Sequence, residues 1–145
     1  MTWQMLFRVA NLSAIACWLP LVLAPNSRLT RALTATPAVP ALFGLLYAGL
    51  LVATYATPGD GGMSSFEALH RAFDRDVVLM LGWVHYLCFD MLIGYWEVND
   101  ARRLGIHPLL LAPCLVLTFF FGPTGLLLYL GVRYATRRTL RYDPE

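Results

Sequence analysis

Hydrophobic positions in this chain come in four long runs, with short polar stretches between them. The runs cover about residues 3–24, 39–57, 77–97 and 109–134. Each reaches the roughly 17–25 residues that carry a helix across a bilayer, the fourth slightly exceeding it. None shows the period-two alternation of a barrel strand. Lipid offers the backbone no hydrogen-bond partner, so spanning segments must be helices or closed barrels. The pattern therefore predicts an all-α fold: an integral membrane bundle of four transmembrane helices with short loops, one domain over residues 1–145.

The connections carry helix breakers. "PNSRLTRALTATP" (25–37) opens on Pro-Asn and closes on Pro, and reads as a loop. "PGDGGMSS" (58–65) reads as a flexible turn. The following "FEALHRAFDRD" puts Phe66, Leu69, Ala72 and Phe73 on one helical face, which predicts a short interfacial helix. In "VNDARRLGIHP" (98–108), Gly105 stands where a C-cap belongs and Pro108 where a helix restarts.

Composition narrows the class further. Hydrophobic residues make up 58% and charged residues only 14%, against about a quarter charged in soluble domains. The N-terminal run resembles a signal peptide in outline. However, Pro25 would follow the cleavage site and the run is longer than a usual signal core, so it is read as a retained span. Every basic residue is arginine, and the net charge of +2 is spread over the loops. No basic stripe is interleaved with aromatics, so nucleic acid is not an expected partner. Cys17, Cys88 and Cys114 are scattered through apolar runs and make neither a disulfide framework nor a metal motif. His70, His85 and His107 lack the spacing of a metal site, and none is expected. Arginine counts over four crossings place both termini inside. Arg8, Arg71, Arg75, Arg133, Arg137, Arg138 and Arg141 are then inside, and Arg28, Arg31, Arg102 and Arg103 outside.

The informative residues lie at mid-depth. The third run centres near Leu87, with His85 and Asp90 close to it; the fourth centres on Gly122-Pro123; Asn11, Ser13 and Tyr47 sit near the middle of the first two. Pro123 cannot donate a backbone N–H and frees the carbonyl of Phe119, so Gly122-Pro123 is expected to kink the fourth helix and face the bundle. A carboxylate at a helix centre costs at least about 2.5–3.5 kcal/mol and faces the protein interior. Asp90 is thus either a structural hydrogen-bond node or a proton donor and acceptor. Trp83, Tyr86, Asp90 and Glu97 share a face, whereas His85 points well around the helix and toward a neighbour. Glu97, Asp100, Arg102 and Arg103 read as solvated interfacial ion pairs.

These motifs carry a resemblance. "GWVHYLCFD" with Asp100 after it, then "GIHP", "PCL" and "FFFGPTGLLLYL", resemble the abscisic-acid-deficient-four-like family of small four-helix membrane proteins. "NLSAIACWLPLVLAP" and "VPALFGLLYAGLL" resemble its first two spans, so the likeness runs from about Asn11 to Arg133. His85, Tyr86, Asp90, Asp100, Gly122, Pro123 and Gly125 match the family pattern, and Cys88 departs from the small residue common in plant members. Plant members are tied to conversion of the epoxy-carotenoid violaxanthin into allenic neoxanthin. The resemblance implies a multi-pass protein of bacterial inner-membrane type acting on a carotenoid or other isoprenoid lipid. One reading is an isomerase working by acid/base chemistry without a cofactor. Asp90 would be the acid, with His85 or Tyr86 as base or orienting partner. Asn11, Tyr47, Trp83, Phe121, Gly122 and Pro123 would line the substrate site. The other reading is a non-catalytic carotenoid- or lipid-binding or accessory subunit. Expected partners are membrane lipid, such a ligand, and a second copy of the chain or another membrane enzyme.

Overall fold

The computed structural model describes residues 2–57 and 59–141; Pro58 of the expected turn and residues 142–145 of the arginine-rich tail lie outside them. Seven helices form among the described residues: α1 (Trp3–Leu23), α2 (Arg28–Thr34), α3 (Ala38–Ala56), α4 (Phe66–Phe73), α5 (Asp76–Leu104), α6 (Pro108–Phe121) and α7 (Pro123–Arg137). No strand occurs among them. Three helices, α1, α3 and α5, are long and apolar enough to cross a membrane. Leu12, Leu45, Val52 and Leu79 stand exposed on them, as lipid-facing side chains do.

Two parts of the expected pattern change. The 25–37 stretch is not a plain loop. Asn26 and Ser27 end the turn after α1, and the Ser27 hydroxyl caps α2 by accepting from the Thr30 N–H at 3.1 Å. Thr30 then donates from Oγ1 to the carbonyls of Pro20 at 2.9 Å and Ala24 at 2.7 Å, tying α2 back onto the end of α1. The third run also extends past Glu97. Nothing breaks the helix until Gly105, whose φ of 64° takes the left-handed C-terminal position while the Ile106 N–H reaches back to the Ala101 carbonyl at 2.8 Å. His107 Nδ1 then caps α6 by accepting from the Leu109 N–H at 3.3 Å.

The larger correction concerns the fourth span. It is not one kinked helix but two, α6 of 14 residues and α7 of 15, folded back on each other. At 1.5 Å per residue each is about 21–23 Å long, short of a ~30 Å hydrocarbon core. Gly122 sits between them at φ 22° and ψ −86°, outside both helical geometries. The reversal brings Gly125 onto Thr118: a Cβ on Gly125 would lie 2.0 Å from the Thr118 nitrogen, so only glycine fits. α7 then runs back beside α5 until Arg137 donates to the Gly105 carbonyl. The pair is a helical hairpin whose two ends lie together and whose tip is Gly122-Pro123.

The chain divides into two compact units. One comprises Met1–Ala14 with Pro40–Phe89, the other Ile15–Val39 with Asp90–Glu145. The first holds the start of α1, α3, α4 and the N-terminal half of α5. Its core includes Leu6, Phe43, Leu50, Met80 and Val84. The second holds the end of α1, α2, the C-terminal half of α5 and the hairpin. In it Trp18 packs against Gly94, where a Cβ would come within 2.5 Å of the ring, and meets Phe119 edge-on at 5.4 Å.

Candidate functional site

In the first unit, α4 and the flanking turn close over one side of α3 and α5 and leave a cavity of about 770 Å³. Tyr47, Leu51, Val78, Leu81 and His85 line its walls, with Arg75 and Met63 among the other lining residues. Arg75 donates to the Thr54 carbonyl at 3.2 Å, to the Thr57 hydroxyl at 3.1 Å and to the Thr57 carbonyl, so its charge is bound to the C-terminal end of α3. Those carbonyls are the unpaired acceptors a helix end leaves, and a cation is favoured there. His85 lies against Tyr47 with ring centroids 5.6 Å apart and against Phe89 at 4.6 Å. The sequence expectation that His85 turns toward a neighbouring helix is met by α3.

A second cavity of about 740 Å³ is lined by Trp3, Phe7, Arg8, Trp83 and Tyr86. Gly82 and Phe73 line both cavities. Asn11 Oδ1 accepts from the Trp83 indole at 3.0 Å, Phe7 lies against Trp83 at 5.4 Å, and Trp83 stacks on Tyr86 at 5.3 Å. The expected site residues of this unit therefore separate into two groups: Tyr47 with His85, and Asn11 with Trp83 and Tyr86. His85 and Tyr86, neighbours in sequence, line different cavities because adjacent residues on a helix diverge by about 100°.

In the second unit the structure brings Asp90 and Gly122 together. Asp90 is 9% exposed, and a Cβ on Gly122 would lie 2.6 Å from its Oδ1. The carboxylate thus stands at the hairpin tip, beside the first turn of α7, where the aligned peptide dipoles favour negative charge. Phe121 and Pro123, expected as substrate-binding, are exposed on the outside of the tip.

Glu97 and Asp100 do not lie in solvent as expected. Glu97 is fully buried and Asp100 is 4% exposed. The reason is the hairpin, which covers the face of α5 that a single crossing helix would have left at the surface. Thr118 Oγ1 donates to Glu97 at 2.9 Å. Asp100 accepts from the Tyr129 hydroxyl at 2.6 Å and pairs with Arg133 Nε at 2.9 Å and Arg103 Nη2 at 3.0 Å. Arg133, counted from sequence among the arginines on the inside, is fully buried and also donates to the Arg141 carbonyl. Trp96 packs edge-on against Tyr129 at 5.3 Å. Asp90, Glu97 and Asp100 thus form one polar seam along α5, against α6 and α7. Two signals for it lay in the sequence: acids at seven- and three-residue steps on α5, and Tyr129 with Arg133 at a four-residue step. No three His, Cys, Asp or Glu side chains among the described residues converge to hold a metal ion.

Compared with known proteins, residues 5–129 match a family model described as ABA DEFICIENT 4-like, so the chain belongs to that family. No curated protein and no solved structure matches the chain.

Proposed function

We propose that this member of the ABA DEFICIENT 4-like family is a membrane-embedded isomerase of a carotenoid or related isoprenoid lipid. The observation that supports the reading is the 770 Å³ cavity with His85 in its wall against Tyr47. Its size lies within the roughly 300–1,000 Å³ of small-molecule sites, and an apolar lining with few polar groups suits a polyene. The resemblance to the neoxanthin-forming plant factor supplies the substrate class.

Histidine is the side chain able to give and take a proton near neutral pH. In the proposed step a protonated His85 gives its proton to an epoxide oxygen or a polyene carbon. The neutral imidazole so formed removes a proton from another carbon and regains its starting state. Substrate and product share one formula, so the step needs neither oxidant nor reductant. In this reading Asp90, set against Gly122 at the hairpin tip, is a structural residue and not the acid.

The test is expression in a carotenoid-producing host, with pigment extracts compared for wild type, His85→Ala and Asp90→Asn at matched protein level. A new pigment lost in His85→Ala and kept in Asp90→Asn supports this assignment. Loss in Asp90→Asn at unchanged abundance returns the acid's part to Asp90. A second reading, a carotenoid-binding or accessory subunit, is favoured by one observation: His85 and Tyr86 line different cavities, so they do not form a pair. It predicts unaltered carotenoid retained on the purified protein and no new pigment. Neither pigment nor bound carotenoid would sink both readings.

The proposal places the protein in a bacterial inner membrane and revises its orientation. Counted over four crossings, the arginines put both termini inside. With α6 and α7 as a hairpin that returns to its starting side, they put the C-terminus and the 105–107 turn inside and the N-terminus, one α1 crossing away, outside.

A further inference from the structure

In the second unit a polar cavity of about 760 Å³ opens between α2, the end of α5 and the start of α6. Asn26, Arg31, Arg102, Arg103 and His107 line it. No carboxylate does. The carboxylates among the described residues of this unit are Asp90, Glu97 and Asp100. Asp90 is at the hairpin tip, Glu97 is bonded to Thr118, and Asp100 is already shared by Arg103 and Arg133. The Arg31 side chain makes no hydrogen bond or ion pair among the described residues; it lines this cavity together with Arg102, close enough for the two charges to repel. Arg102 is held in place by Thr34, to which its Nη2 donates at 2.7 Å, and by Asn99. His107 caps α6 through Nδ1, which leaves Nε2 available. Two guanidinium groups kept together against their mutual repulsion, with no acid among the cavity's lining residues, call for an anion from outside. Guanidinium groups match the oxygens of a phosphate, and basic pockets between helices at a membrane surface take lipid head groups.

We propose that this cavity is a binding site for a phosphate group, supplied by an anionic membrane lipid, with Arg31 and Arg102 as its chief ligands and His107 and Asn26 as polar contacts. The site is independent of the His85 cavity and of whatever chemistry occurs there.

The experiment uses the full chain purified in neutral detergent and follows thermal unfolding with added phosphatidylglycerol, with phosphatidylcholine, and with sodium phosphate against sodium chloride at equal ionic strength. Arg31→Gln tests the site. Arg28→Gln, on the same short helix but outside the cavity, removes the same charge as a control. Both side chains are exposed, so their unfolding without lipid should match wild type. Phosphatidylglycerol should raise the unfolding temperature where phosphatidylcholine does not. Its half-saturating concentration should rise about tenfold in Arg31→Gln, the loss of one charged hydrogen-bonding partner, and stay near wild type in Arg28→Gln. A shift produced by sodium phosphate alone, with the same dependence on Arg31, supports the site with a soluble occupant. No shift from any phosphate, or an equal loss in both variants, overturns the proposal.

Discussion

Arg133 carries a full charge at zero exposure, and the carboxylate that answers it is Asp100 at 2.9 Å. Desolvating both ions costs several kcal/mol each, and close pairing with further hydrogen bonds returns most of it. Tyr129 supplies one such bond at 2.6 Å. Removing one partner strands the other, so Arg133→Met should cost about 3–5 kcal/mol. The lower end is expected because Arg103 still reaches Asp100 from its half-exposed position. Tyr129→Phe loses a hydrogen bond to a charged group and should cost about 1.5–3 kcal/mol. The double variant Asp100→Leu with Arg133→Met should be more stable than the sum of the single effects, because no charge is left buried alone. Denaturant unfolding in detergent of wild type, Arg133→Met, Asp100→Leu, Tyr129→Phe and the double variant measures all three expectations. Additive single effects would mean that the two side chains do not act as a pair.

At the scale of elements, the hairpin depends on how closely α7 can approach α6. Gly125→Ala would set a methyl carbon 2.0 Å from a backbone nitrogen that no rotamer change can move aside. Overpacking of this kind costs about 1–3 kcal/mol and sometimes more, and Gly125→Ala belongs at the upper end. Gly44→Ala and Gly49→Ala, on α3 with nothing within 4 Å of an added Cβ, should be neutral or slightly stabilising. Wild-type stability in Gly125→Ala would contradict the tight reversal. The same contrast explains what was legible in the sequence. α1, α3 and α5 follow from apolar run length, and the break at Gly122-Pro123 from the absent proline donor. Run length alone could not separate a crossing helix from two half-length helices, because 109–134 is apolar enough for either. The choice rests on contacts distant in sequence: Gly125 on Thr118, Tyr129 and Arg133 on Asp100, Arg137 on Gly105. Burial of Glu97 and Asp100 is the same fact seen from α5. α2 was hidden for a different reason, since seven residues between prolines give too little periodicity to read, and only the Ser27 cap marks its start.

For the molecule in its membrane, the hairpin alters how charges are counted. Arg102 and Arg103 end α5, Arg137 reaches Gly105 from the end of α7, and Arg31 shares a cavity with Arg102. These arginines, with Arg28 on the same short helix as Arg31, therefore gather at one end of the second unit and would share one membrane surface, where a four-crossing count had split them between two. Lys and Arg near the ends of spans mark the cytoplasmic side, so this surface should face inward. An anionic inner leaflet would then adjoin the phosphate cavity as well. The prediction is specific to the hairpin and can be read by labelling. In a background with Cys17, Cys88 and Cys114 replaced by alanine, the single substitutions Arg28→Cys, His107→Cys and Leu140→Cys should all react with a membrane-impermeant maleimide in inverted vesicles. None should react in intact spheroplasts. A single crossing by 109–134 would instead give His107→Cys and Leu140→Cys opposite behaviour. That outcome would show that α7 does not return beside α5 in the bilayer, and with it the burial of Arg133 against Asp100 would lose its basis.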